Sequence, residues 1–125
     1  MCRTDYTLEA EMVERLKNWK KKIYIAGPVT NDPDYMQKFE RAAEMLASEG
    51  YEPVSPVAPG LVDGWEYRDY INRGLRMLMD CDGICLLPGY KDSKGTLVEI
   101  RYATLCELQF MYIVQILDEW RIMQE

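Results

Sequence analysis

Residues 82–103, DGICLLPGYKDSKGTLVEIRYA, decide the fold. The apolar run 84–87 is too short for a helix and stops at Pro88-Gly89, so it is predicted to be a buried strand. Polar residues 90–94 follow, and helical periodicity opens at Gly95-Thr96. A helix start carries backbone N–H groups with no intrahelical partner, which favour an anion. Glu99 stands just inside it, and two accounts of that carboxylate compete. Thr96-Leu97-Val98-Glu99 fits a capping box, with Thr96 as the cap and Glu99 reaching back to its amide. Alternatively, Glu99 is presented to a ligand at the carboxyl end of a parallel strand, as nucleophile or base.

Upstream, Ile23-Tyr24-Ile25-Ala26 is rich in strand formers and halts at Gly27-Pro28. Asn31-Asp32-Pro33 is expected to cap a helix with proline at its first position; Phe39, Ala42, Ala43, Leu46 and Ala47 give that helix one apolar face, and Gly50 ends it. Residues 51–54 form a short second strand, and 55–64, with two prolines and two glycines, the longest irregular loop. Asp63 is expected to cap the next helix, with Glu66 three residues on and a buried stripe of Tyr67, Ile71, Leu75 and Leu78. Downstream of the central stretch, 110–116 reads as a last strand and 117–125 as a short terminal helix. Strand and helix alternating imply right-handed crossovers and a parallel sheet covered on both faces. The expected architecture is α/β, a flavodoxin-like three-layer sandwich with a four- to five-stranded parallel sheet in the order 2-1-3-4. Ligands then bind above strands one and three, where the turns 27–33 and 88–95 face each other.

Residues 1–21 are expected to be a separate amphipathic helix, with Leu8, Met12, Leu16 and Trp19 on one face, ahead of a single α/β domain over 22–125. A chain of 125 residues, 48% hydrophobic and 29% charged, suits one globular domain. Its formal charge of −6 argues against nucleic-acid polymers and anionic membranes, both of which demand a basic face. There is no His, and Cys2, Cys81, Cys85 and Cys106 form no CxxC pair, so no metal is expected and buried reduced thiols are. With neither a signal-peptide pattern nor a transmembrane-length apolar run, the expected location is the cytoplasm.

Three segments together, KIYIAGP at 22–28, CDGICLLPG at 81–89 and SKGTLVEIRYA at 93–103, resemble the nucleoside 2-deoxyribosyltransferase superfamily, in particular a short branch with a YIAGP start and an LPGxxxSxGxxxE turn. The resemblance spans 22–116. It implies that Glu99 is the nucleophile attacking the anomeric carbon of a deoxyribose, that Ser93, Gly95 and Thr96 hold the sugar and any 5′-phosphate, and that Tyr24, Gly27 and Pro28 line the same pocket. No cofactor is implied. The partner is a small nucleoside or nucleotide, with pockets completed in a homodimer or higher homo-oligomer. Gly74 departs from the pattern: family members usually carry there an Asp that assists proton traffic at the leaving base. If that missing carboxylate limits turnover, Gly74→Asp should raise the rate. The alternative to an enzyme is a non-catalytic nucleotide-binding module of the same fold. An FMN or phospho-receiver domain is disfavoured, because Gly27-Pro28 stands where a receiver carries its acidic pair. For Trp65, Tyr67, Tyr70 and Tyr90, stacking on a base is weighed against core or rim packing, and for Arg68, Arg73, Lys91 and Lys94, phosphate binding against simple solvation.

Overall fold

A computed structural model describes residues 8–13 and 19–125. Five strands form one sheet in the order β2-β1-β3-β4-β5. They are β1 (Lys22–Ala26), β2 (Glu52–Val54), β3 (Gly83–Leu86), β4 (Gln109–Ile116) and β5 (Glu119–Gln124). The helices are α1 (Tyr35–Ser48), α2 (Tyr67–Met79) and α3 (Lys94–Leu105), with a 3₁₀ turn at Tyr90–Asp92. The first four strands pair in parallel. Pro53 lies in β2, an edge strand, where a missing N–H is tolerated.

Alternation along β1 builds two cores. Ile23 and Ile25 face α1 and meet Phe39, Ala42 and Leu46, whereas Tyr24 and Ala26 face the opposite layer with Leu78 of α2 and Ala103 of α3. Cys85 and Cys81 fill one core each as thiols, and burial pushes them up to about 12 and about 11. Asp82 is structural, its carboxylate accepting from the Lys22 amide at 2.9 Å to register β1 against β3.

The sequence misplaces several boundaries. Residues 119–124 are not a terminal helix; β5 returns antiparallel along β4, with Ile116 paired to Glu119 across a turn of Leu117 and Asp118. Trp120 and Ile122 alternate inward onto the α1-side core, and the Arg41 guanidinium lies 4.3 Å from the Trp120 ring centroid. The helix caps are also shifted. Asp32 accepts from the Asp34 amide and from Lys38 outside the helix, which begins only at Tyr35, so Pro33 is not its first residue. Asp63 sits in a turn closed by the Trp65 amide and the Val62 carbonyl, and α2 is capped at Glu66, whose amide donates to the Asp69 carboxylate at 2.8 Å. Of the expected N-terminal helix, residues 8–13 are helical, 19–21 are not, and 1–7 and 14–18 lie outside the described residues. Among the described residues no helix is long and apolar enough to cross a membrane.

Candidate functional site

A cavity of about 230 Å³ opens at the carboxyl ends of β1 and β3. It is lined by Tyr24 of β1, the first turns of α3, residues of α2, the start of α1 and the loop 56–61. Among the described residues lining it, Glu99 is the one carboxylate and Arg73 the one cation.

The capping-box account of Glu99 does not hold. The cap of α3 is Ser93, whose hydroxyl oxygen accepts from the Thr96 amide at 3.3 Å and from the Thr96 hydroxyl at 2.9 Å. Glu99 therefore falls beyond the first turn, past the orphan amides, and turns inward to accept a hydrogen bond from the Tyr24 hydroxyl. Burial pushes the Glu99 carboxyl up to about 7, against the opposing pull of the Tyr24 hydrogen bond. Burial and the negative Glu99 drive the Tyr24 phenol far upward, so it stays a neutral donor.

This contact depends on Gly74. A Cβ built there would lie 2.7 Å from the Tyr24 hydroxyl and 3.4 Å from Glu99 Oε2. The position opposite the carboxylate is thus empty of side chain because the Tyr24 hydroxyl comes within contact distance of it. Gly95 serves a similar close approach, since a Cβ there would meet Ile71 Cδ1 at 2.8 Å and the Tyr67 hydroxyl at 3.1 Å. Gly27 does so between the ends of β1 and β3, where a Cβ would lie 2.6 Å from Leu87 Cβ.

Of the residues singled out in the sequence, Tyr24, Gly27, Ser93, Gly95, Thr96 and Glu99 line the one cavity. Pro28 does not; it packs towards Gly89, whose built Cβ would lie 3.6 Å from the proline ring. Tyr67, Tyr70 and Arg73 also line it, whereas Trp65, Tyr90, Arg68, Lys91 and Lys94 do not. Arg73 is not a free anion ligand. Its Nη2 donates to the carbonyls of Pro56 at 3.2 Å and Gly60 at 2.9 Å, and its guanidinium stacks 5.0 Å from the Trp65 ring centroid. The Tyr70 hydroxyl accepts from the Val62 amide and donates to its carbonyl, so α2 ties down the loop that lines the cavity. The loop's part in the cavity was missed, because a Pro- and Gly-rich stretch has no periodicity to say which side it presents.

The half-buried Glu99 carboxylate thus stands at the switch point of an open α/β sheet, the place where such sheets commonly bind ligands. The chain belongs to the family described as Domain of unknown function (DUF4406), whose model matches residues 21–112. Among solved structures it is similar to a 2-deoxyribosyltransferase from the psychrotolerant bacterium Bacillus psychrosaccharolyticus, at 20% identity and a TM-score of 0.58, over 73% of this chain and 70% of that one. The deoxyribosyltransferase-like fold implied by the motifs is therefore present. No curated protein matches the chain.

Proposed function

We propose that the chain cleaves or transfers the N-glycosidic bond of a 2′-deoxynucleoside or its 5′-monophosphate through a covalent glycosyl-Glu99 intermediate. The observation that carries this is the one carboxylate among the described residues lining the cavity, half-buried, oriented by a neutral phenol and with no cationic partner among those residues. Such a carboxylate is poorly solvated when ionised and hence well placed to attack an electron-deficient carbon. The deoxyribosyltransferase activity named for the structural neighbour supports the choice of reaction. In the first half-reaction a Glu99 oxygen bonds to C1′ as the C1′–N bond breaks, its electron pair leaving with the base. In the second, water or another base attacks C1′ from the vacated side and returns the electron pair to Glu99, with net retention. Incubating a panel of deoxynucleosides and deoxynucleotides with the protein, with and without a free acceptor base, is expected to release base in the first case and form a new nucleoside in the second, by chromatography. A panel recovered intact, with ligands that nevertheless bind, would replace this proposal with the non-catalytic module.

Because attack requires the ionised carboxylate, kcat/KM is expected to rise with pH with a midpoint near 7, where burial has placed the Glu99 carboxyl. A profile already flat from pH 5 would remove Glu99 from that role.

A homodimer accompanies the proposal. The α3 helix leaves Leu97, Val98 and Leu105 at 48%, 47% and 78% exposure beside the site, an apolar face suited to a second copy. Light scattering at micromolar protein is expected to return twice the chain mass, and a monomeric mass would remove the dimer.

A further inference from the structure

Breaking the C1′–N bond leaves an electron pair on the departing base, and a base leaves poorly unless a proton reaches it. Glu99 is engaged in attack, and Gly74 offers no acid. The proton must therefore come from another group lining the cavity.

Three of the hydroxyls there already donate within the protein, and the Ser93 oxygen accepts from the Thr96 amide and hydroxyl. Tyr24 donates to Glu99, Tyr70 to the Val62 carbonyl and Thr96 to Ser93. The Tyr67 hydroxyl has no hydrogen-bond partner among the described residues, and neither have Tyr35 and Thr30, which stand on the β1–α1 side. Tyr67 is the first residue of α2, and its hydroxyl reaches across to α3, 3.1 Å from where a Gly95 Cβ would lie. Gly95 and Glu99 are four residues apart on the same face of α3 and both line the cavity, so the hydroxyl and the carboxylate stand along the same side of it. Retaining glycosidases likewise hold nucleophile and acid in one pocket, ~5–5.5 Å apart. Tyr67 is 59% exposed as a residue and so stands on the solvent side of the cavity.

We propose that Tyr67 is the catalytic acid of this site, its hydroxyl giving a proton to the departing base while Glu99 bonds to C1′. This rests on the glycosyl-transfer proposal above. The O–H bond of Tyr67 breaks as an N–H bond forms on the base, and the C1′–N electron pair goes to the base. In the return step the incoming water or acceptor base passes its proton to the Tyr67 oxygen, bonds to C1′, and releases Glu99 as carboxylate. The uncommitted hydroxyl thereby takes over the proton delivery for which position 74 carries no group.

The test compares native protein and Tyr67→Phe on the best-cleaved member of the deoxynucleoside panel and on 4-nitrophenyl 2-deoxyriboside, whose nitrophenolate departs without a proton. A thermal melt confirms that the exposed substitution leaves the fold intact. Tyr67→Phe is expected to lower kcat on the nucleoside about 10²-fold or more, with KM within about threefold, and to slow the nitrophenyl substrate far less. An equal loss on both substrates, or no loss on the nucleoside, overturns Tyr67 as the acid. Native protein that cleaves neither substrate overturns the glycosyl-transfer proposal itself, a failure visible before any variant is made.

Discussion

Glu99→Gln is expected to lower glycosidic cleavage at least ~10⁴-fold while making the protein more stable at pH 8. The amide keeps the shape of the side chain and can still accept from the Tyr24 hydroxyl, but it forms no stable glycosyl ester; losing a nucleophile commonly costs 10⁴-fold or more. The stability half follows from linkage. The Glu99 carboxyl is raised by burial from its ordinary 4.5 to about 7, so the folded state holds the proton more tightly than the unfolded chain does. Its favourable contribution is complete below the unfolded value and is lost as pH rises through about 7. At pH 8 the native protein keeps a poorly solvated charge that glutamine removes, a gain on the order of 1–2 kcal/mol that fades towards pH 5. A capping carboxylate would behave in the opposite sense, its loss costing about 0.5–2 kcal/mol. Chromatography of the reaction and thermal melts at pH 5 and pH 8 check both halves. Unchanged cleavage would dismiss Glu99 as nucleophile, and a lower melting temperature at pH 8 would dismiss the burial argument.

The strand order was legible because each signal was local: an apolar run closed by Gly27-Pro28 or Pro88-Gly89, then a helical face. The terminal hairpin was not. Its turn places Leu117 at a φ of 59°, where hairpins usually show glycine or asparagine, so nothing in Leu117-Asp118 announces a reversal. The period-two pattern of Trp120 and Ile122 was the signal available, and it was short. Caps were read onto the wrong residue for a related reason. Residues 93–96 hold both a serine and a threonine able to cap, and only the backbone at Ser93, extended with Thr96 already in the first turn, decides between them. That choice settles whether Glu99 faces the helix end or the cavity.

Within the site, Tyr24 and Glu99 came together through motif resemblance and the parallel order of β1 and β3. The parts played by Gly74, Gly95 and Tyr67 depend on how closely α2 approaches β1 and α3, a distance no single segment encodes. A glycine inside a helix is visible as a cost in helix propensity. What fills the space it leaves is visible only in the packed structure.

Gly74→Ala and Gly74→Asp are both expected to slow the reaction about 10²-fold at pH 7. This reverses the expectation that restoring an aspartate at position 74 would speed it. A Cβ at 74 would stand 2.7 Å from the Tyr24 hydroxyl, and Tyr24 is 1% exposed in the core around β1, so its ring cannot yield without disturbing its neighbours. The hydroxyl is displaced and its hydrogen bond to Glu99 is lost; a misplacement near 1 Å at a reacting group can cost about 10²-fold. That hydrogen bond lowers the Glu99 carboxyl, so without it the acidic limb of the rate profile moves above 7. Aspartate adds a second carboxylate beside Glu99 and moves the limb further still, since like charges raise one another. The sharper measurement is a double-mutant cycle with Tyr24→Phe, read as kcat/KM from pH 5.5 to 9. Removing the hydroxyl leaves the ring carbon 3.9 Å from a Cβ at 74, an ordinary contact, so Gly74→Ala should cost little in that background. Additive losses would show that Gly74 acts independently of Tyr24, and a faster Gly74→Asp enzyme would return proton delivery to position 74.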